Sequence, residues 1–182
     1  MQRRTFLTAT LAVPALATQP ENSPYGASIK PFVVKTGEAR FGEAIKLFGT
    51  SPNDIKVSGK DTDGSLAVFE YDGHEKGGPS LHVHPYQDEI FYVLVGAYRF
   101  QVGDQKHKLK AGDTIFLPRN VPHTFVQLTD SGRMLFFLQP AGQMEDYFRA
   151  VGKLTAKPSP QEGAKLFTDH AMQVVGPPLT ID

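Results

Sequence analysis

The chain has 182 residues, with 19 basic side chains against 19 acidic ones, so its net charge offers no electrostatic case for nucleic acid or an acidic membrane surface as a partner. It has no cysteine, which excludes disulfides, thiolate-held zinc, iron–sulfur clusters and a thiol nucleophile; any metal must be held by nitrogen and oxygen. With 13 Phe, 17 Gly and 14 Pro, the composition suits one domain of short strands and tight turns around a Phe-rich core.

In chain order, Arg3-Arg4 comes first and precedes an apolar stretch from Phe6 to Ala17. That stretch ends in Ala15-Leu16-Ala17, the small-x-small pattern of a signal-peptidase site. The paired arginines before Phe6-Leu7 resemble a twin-arginine signal. Residues 1–17 are therefore expected to be a signal peptide and 18–28 a flexible start to the mature chain, with the protein periplasmic or secreted. No apolar run reaches transmembrane length, so no membrane span is expected in the mature form.

Residues 29–34 and 43–48 are extended candidates, the first at a sheet edge because Pro31 cannot donate to a ladder. From Ser65 to Gln139 strand candidates follow one another at short spacing, over 66–71, 81–84, 89–95, 98–102, 114–117, 124–128 and 134–138. The clearest is 98–102, where Tyr98, Phe100 and Val102 alternate with Arg99 and Gln101. Lys106, Lys108 and Lys110 alternate around His107 and suggest a solvated, edge-protecting strand face. This spacing predicts an all-β antiparallel sandwich or barrel over 29–140. The tail, 141–182, reads as helical. Met144, Tyr147, Phe148 and Val151 share one helix face within 143–151. Ser159-Pro160-Gln161-Glu162 forms a capping box with proline at the first helical position, starting a helix that runs to about residue 172.

The chemistry concentrates at His82, His84, Glu89 and His123. Side chains repeat every two residues along a strand, so His82 and His84 face the same way. Two imidazoles on one face are two ligands for a divalent ion, and Glu89 and His123 would complete a set of three nitrogens and one oxygen. Phe91 has the parity of Glu89, and Phe125 and Gln127 have the parity of His123. One end of the interior would then carry ligands, with an aromatic wall beyond. His74, His107 and His170 fit no ligand position.

These residues also resemble a known family. Gly77/Gly78, His82-x-His84, Glu89 and Gly96 are similar to the first cupin motif. Gly112, Pro118, Asn120, His123 and Gln127 are similar to the second. The resemblance extends over roughly residues 60–140. Softer likenesses at 140–149 and 174–178 point to small single-domain cupins described as quercetin-dioxygenase-like. It implies a double-stranded β-helix, or jelly-roll barrel, with short helices packed outside, and a homodimer. Two departures stand out. Asn120 replaces a glycine, and asparagine tolerates the left-handed turn better than other residues do. Gln127 replaces an asparagine.

The resemblance implies one divalent transition metal per chain, Fe, Mn, Ni, Co, Cu or Zn, held by His82, His84, Glu89 and His123. The leading expectation is a dioxygenase acting with O2 on a small enol or phenol-type, flavonol-like substrate. Glu89 is then both ligand and base, and Tyr86, Phe91, Phe125 and Gln127 are candidate substrate contacts. Another cupin metalloenzyme (isomerase, hydrolase or decarboxylase) and a non-enzymatic small-molecule or metal-binding module remain as alternatives, because a fold does not specify a reaction.

Overall fold

Period-two alternation of buried and open side chains becomes strand at eleven places within residues 30–181, which this computed structural model describes. The expected signal peptide and flexible segment lie outside the described residues. The chain divides into a unit ending at Pro31 and a unit running from Phe32 to Asp182, and every element named here belongs to the second. The strands are β1 (Lys46–Leu47), β2 (Ser51–Val57), β3 (Ala67–Gly73), β4 (Ser80–Val83), β5 (Asp88–Val95) and β6 (Ala97–Val102). They continue as β7 (Gln105–Lys110), β8 (Thr114–Leu117), β9 (His123–Gln127), β10 (Gly132–Gln139) and β11 (Gln173–Pro178). Helices α1 (Met144–Gly152) and α2 (Pro160–Asp169) separate β10 from β11.

Two antiparallel sheets face each other, one ordered β1-β2-β3-β10-β5-β8 and the other β11-β4-β9-β6-β7. Aromatic side chains fill the space between them. Phe69 stacks on Phe136 at 4.9 Å and Phe136 on Phe91 at 5.2 Å, along neighbouring strands of the first sheet. Phe91 then meets Phe100 at 5.1 Å and Phe125 at 5.7 Å, both on the second sheet. Offset and edge-on ring pairs of this kind add to the stabilisation from burial alone.

The elements depart from expectation at five places. Residues 30–34 form no strand, and the 43–48 candidate contributes only the two-residue β1. β2 reads Ser-Pro-Asn-Asp-Ile-Lys-Val, a composition poor in strand formers, and is held by its register with β3. α2 stops at Asp169, where His170 Nδ1 meets the Leu166 carbonyl at 2.7 Å and Ala171 turns to φ 61°. The tail also supplies a strand, β11, which pairs with β4.

Candidate metal centre

β4 delivers His82, the residue after its end delivers His84, β5 delivers Glu89, and β9 begins at His123. His82 and His123 are register partners, so the β4–β9 ladder itself sets two imidazoles side by side. The turn before His123 is fixed by Asn120, which adopts φ 63° and donates its N–H to the His84 carbonyl at 2.9 Å. Asparagine thus meets the left-handed requirement that the motif usually assigns to glycine. Gly78 is needed for a different reason: a Cβ there would fall 1.8 Å from the Phe125 carbonyl oxygen, so only glycine allows β9 its close approach.

The donor atoms of His82, His84, Glu89 and His123 all lie within 4.8 Å of one another, and all four side chains are buried. Glu89 Oε2 is 3.3 Å from His123 Nε2 and 4.0 Å from His84 Nε2. His82 Nδ1–H donates to the Ser80 carbonyl at 2.8 Å and His123 Nδ1–H to the Val121 carbonyl at 2.9 Å, which leaves the Nε2 lone pair of each ring to face a cation. Burial, reinforced by the neighbouring imidazoles, pushes the His82 pKa well down. Burial likewise lowers that of His84. Both rings are therefore held neutral, the form that binds metal. His84 Nε2 and His123 Nε2 have no hydrogen-bond partner although they are buried. Orphaned buried lone pairs converging on one carboxylate fit a cation; they do not fit a satisfied polar core. The donor set, three nitrogens and one oxygen, suits Mn, Fe, Co, Ni, Cu or Zn better than the oxygen-preferring Mg or Ca.

The four candidate ligands stand in the wall of a cavity of about 960 Å³. Phe91, Phe125 and Phe136 line its interior, and the two helices help enclose it. Phe167 of α2 lies edge-on to His82 at 5.0 Å and to Tyr147 of α1 at 5.2 Å. Tyr147 lines the same cavity, and burial together with the negative charge of Glu89 pushes its phenol pKa up, keeping it a hydrogen-bond donor at neutral pH.

The other expected contacts are placed differently. Tyr86 is 67 % exposed between β4 and β5 and is not among the lining residues. Gln127 is buried but does not line the cavity; its Nε2 donates to the carbonyls of Gly73 at 3.1 Å and Thr129 at 2.9 Å. His74 pairs with Asp72 at 3.5 Å on the surface. The lining residues not singled out as site residues from sequence include Tyr147, which helical spacing marks only as one of an apolar face, and Asn53, which sits in the unexpected strand β2.

Residues 67–138, which include all four candidate ligands, match the family described as "Cupin domain". The chain is 30% identical over 122 residues to quercetin 2,3-dioxygenase of Bacillus subtilis (strain 168), covering 67% of this chain and 35% of that protein. Protein SchB of Streptomyces halstedii is 35% identical over 68 residues, 37% of this chain and 49% of that one. The chain thus spans between a third and a half of the length of these curated relatives. Among solved structures, KdgF from Halomonas sp. aligns with a TM-score of 0.52 at 18% identity, covering 61% of this chain and 94% of that one. Pac13, described as a unique nucleoside dehydratase, aligns at 0.50 and 19% identity over 64% and 88%. At such identities the likeness is one of fold, and it is to the cupin jelly roll.

Proposed function

We propose that the protein is a metal-dependent cupin dioxygenase acting on a small enol or phenol-type substrate of the flavonol class. The observation that carries this reading is the convergence of three imidazoles and one carboxylate in the wall of a cavity lined with aromatic rings. The 30% identity to a quercetin 2,3-dioxygenase supports the same direction. His82, His84, Glu89 and His123 would hold a divalent ion, which would supply Lewis acidity toward a substrate hydroxyl. The protein's part is to bind, orient and accept a proton. Phe91 and Phe125 flank a flat ring system. The Glu89 carboxylate, next to His123, is placed to accept the hydroxyl proton of an enol or phenol. The Tyr147 phenol, held protonated near Glu89, donates a hydrogen bond to an oxygen of the bound substrate.

The test is anaerobic reconstitution with each of the six ions, followed by O2 uptake with flavonols and enediols. We expect turnover with at least one ion and its loss in His84→Ala and Glu89→Gln. Turnover that persists in those folded variants overturns the reading. Tight, unreactive binding of a flavonol with every ion would instead favour the non-enzymatic binding module.

Two further parts of the reading concern the whole protein. Residues 1–17 act as an export signal, so protein purified from its native host should begin near Thr18; an N-terminal sequence starting at Met1 removes this. The mature protein is a homodimer that uses the outer face of the six-stranded sheet, where Tyr92 is 38% and Phe116 56% exposed. Phe116→Glu should then lower the mass measured by light scattering to that of one chain.

A further inference from the structure

Among the described residues, the buried side-chain atoms without a hydrogen-bond partner belong to Asn53, His84, His123 and Arg133. Two of these residues are candidate metal ligands, whose free nitrogens an ion would satisfy. Asn53 shows the same signature in the same cavity. It is 0% exposed, it lines the cavity, and both its Oδ1 and its Nδ2 lack a partner. Its backbone N–H donates to the Ile45 carbonyl at 2.9 Å and β2 is held by its register with β3, so the amide side chain is not needed to hold β2 in place.

The register places Asn53 far from the ligands. Asn53 pairs with Tyr71, Tyr71 with Met134 and Met134 with Val93, one continuous row across the first sheet. Glu89 precedes Val93 on β5 by two repeats of the strand, about 13 Å along its direction. Phe91 and Phe136 line the cavity between these two rows.

We propose that Asn53 is the second polar anchor of the cavity and a specificity-determining residue. Its amide, one acceptor and two donors, hydrogen-bonds a hydroxyl at the far end of a ligand whose other end lies at His82, His84, Glu89 and His123. The cavity therefore selects an extended aromatic molecule with oxygen at both ends over one with oxygen only at the metal end. The chemistry of the ligand rests on the dioxygenase reading, whereas the role of Asn53 as an anchor rests on its own unpaired amide. A buried polar group kept without a partner is a cost to the free protein that a bound ligand offsets.

The experiment measures binding of quercetin and of 3-hydroxyflavone, which lacks the outer hydroxyls, to zinc-reconstituted full-length protein without O2. It also measures Tm of the free protein. Wild type should bind quercetin at least about tenfold more tightly than 3-hydroxyflavone. That gap should collapse in Asn53→Leu and Asn53→Ala, with 3-hydroxyflavone affinity kept. Asn53→Leu, close in volume and apolar, should raise the free-protein Tm by roughly 2–4 °C. A gap that persists in both variants, or a Tm that falls in Asn53→Leu, overturns the proposal. If wild type binds neither compound, the flavonol reading fails; a raised Tm in Asn53→Leu then retains Asn53 as an anchor for a different ligand, and a lowered one removes it.

Discussion

Gln127 joins three parts of the barrel at one side chain. Its Nε2 donates to Gly73 and Thr129, and its Oε1 accepts from the Tyr98 hydroxyl at 3.4 Å. A methionine at this position would leave those groups buried and unpaired, and we expect Gln127→Met to cost about 2–3 kcal/mol in urea unfolding. Metal stoichiometry and flavonol affinity should stay unchanged, because the side chain does not border the cavity. Ala at Phe167 acts differently. This ring is buried between His82 and Tyr147, and Phe167→Ala should cost about 3 kcal/mol and weaken metal retention, read by competition with a chelator. The candidate ligands were legible from sequence because strand parity alone sets His82 beside His84 and Phe125 beside His123. Asn53 was not legible. A polar residue between Pro52 and Asp54 looks like a turn, and only the tertiary pairing with β3 makes it a buried, inward-facing strand residue.

Among the elements, α2 carries the most explicit local code. Ser159 Oγ accepts from Glu162 N–H at 3.3 Å, while Glu162 Oε2 accepts from Ser159 N–H at 2.9 Å, and Pro160 opens the helix. That capping box could be read directly, since it depends on four consecutive residues. We expect Ser159→Ala to cost about 1 kcal/mol and to raise hydrogen exchange over Pro160–Asp169 before any other segment. The docking of α1 could not be read in this way. It depends on Glu145, whose Oε1 accepts from Ser58 Oγ and Gly59 N–H, and on Arg149, which donates to Glu43. These partners are scores of residues away, and nothing in the helix itself indicates them. β11 was missed for a related reason: Gln-Val-Val-Gly-Pro-Pro is a poor strand in isolation, and Gly176 with its prolines is accommodated by breaks in the register against β4.

At the scale of the whole molecule, stability should respond to metal and to acid through separate groups. Binding to the folded state alone raises stability by about 2.7 kcal/mol when the free ion is at a hundred times its Kd. Tm should therefore rise on adding the preferred ion to wild type and stay fixed in His84→Ala. The acid response includes Asp61. The Arg40 guanidinium donates to both of its carboxylate oxygens, at 3.0 and 2.8 Å, and this pairing holds the Asp61 pKa below the usual carboxylate range. A depressed carboxylate contributes stability that is complete above its unfolded pKa of about 3.9 and is lost as pH falls through the folded value. Asp61→Asn should thus melt below wild type near neutral pH, and the gap should close in strong acid.

The strand order has a consequence for assembly. β4, which carries His82 and leads to His84, has β11 as its neighbour on one side and β9 on the other. Its hydrogen-bonding edge is therefore completed by a segment roughly ninety residues later in the chain. A chain cut before Gln173 would leave that edge open, with two imidazoles next to unpaired backbone, a template for another extended segment. Pairing across so long a stretch of chain must meet a loop-closure cost before its contacts form. β11 thus couples the integrity of the strand that carries His82 to the tail of the chain.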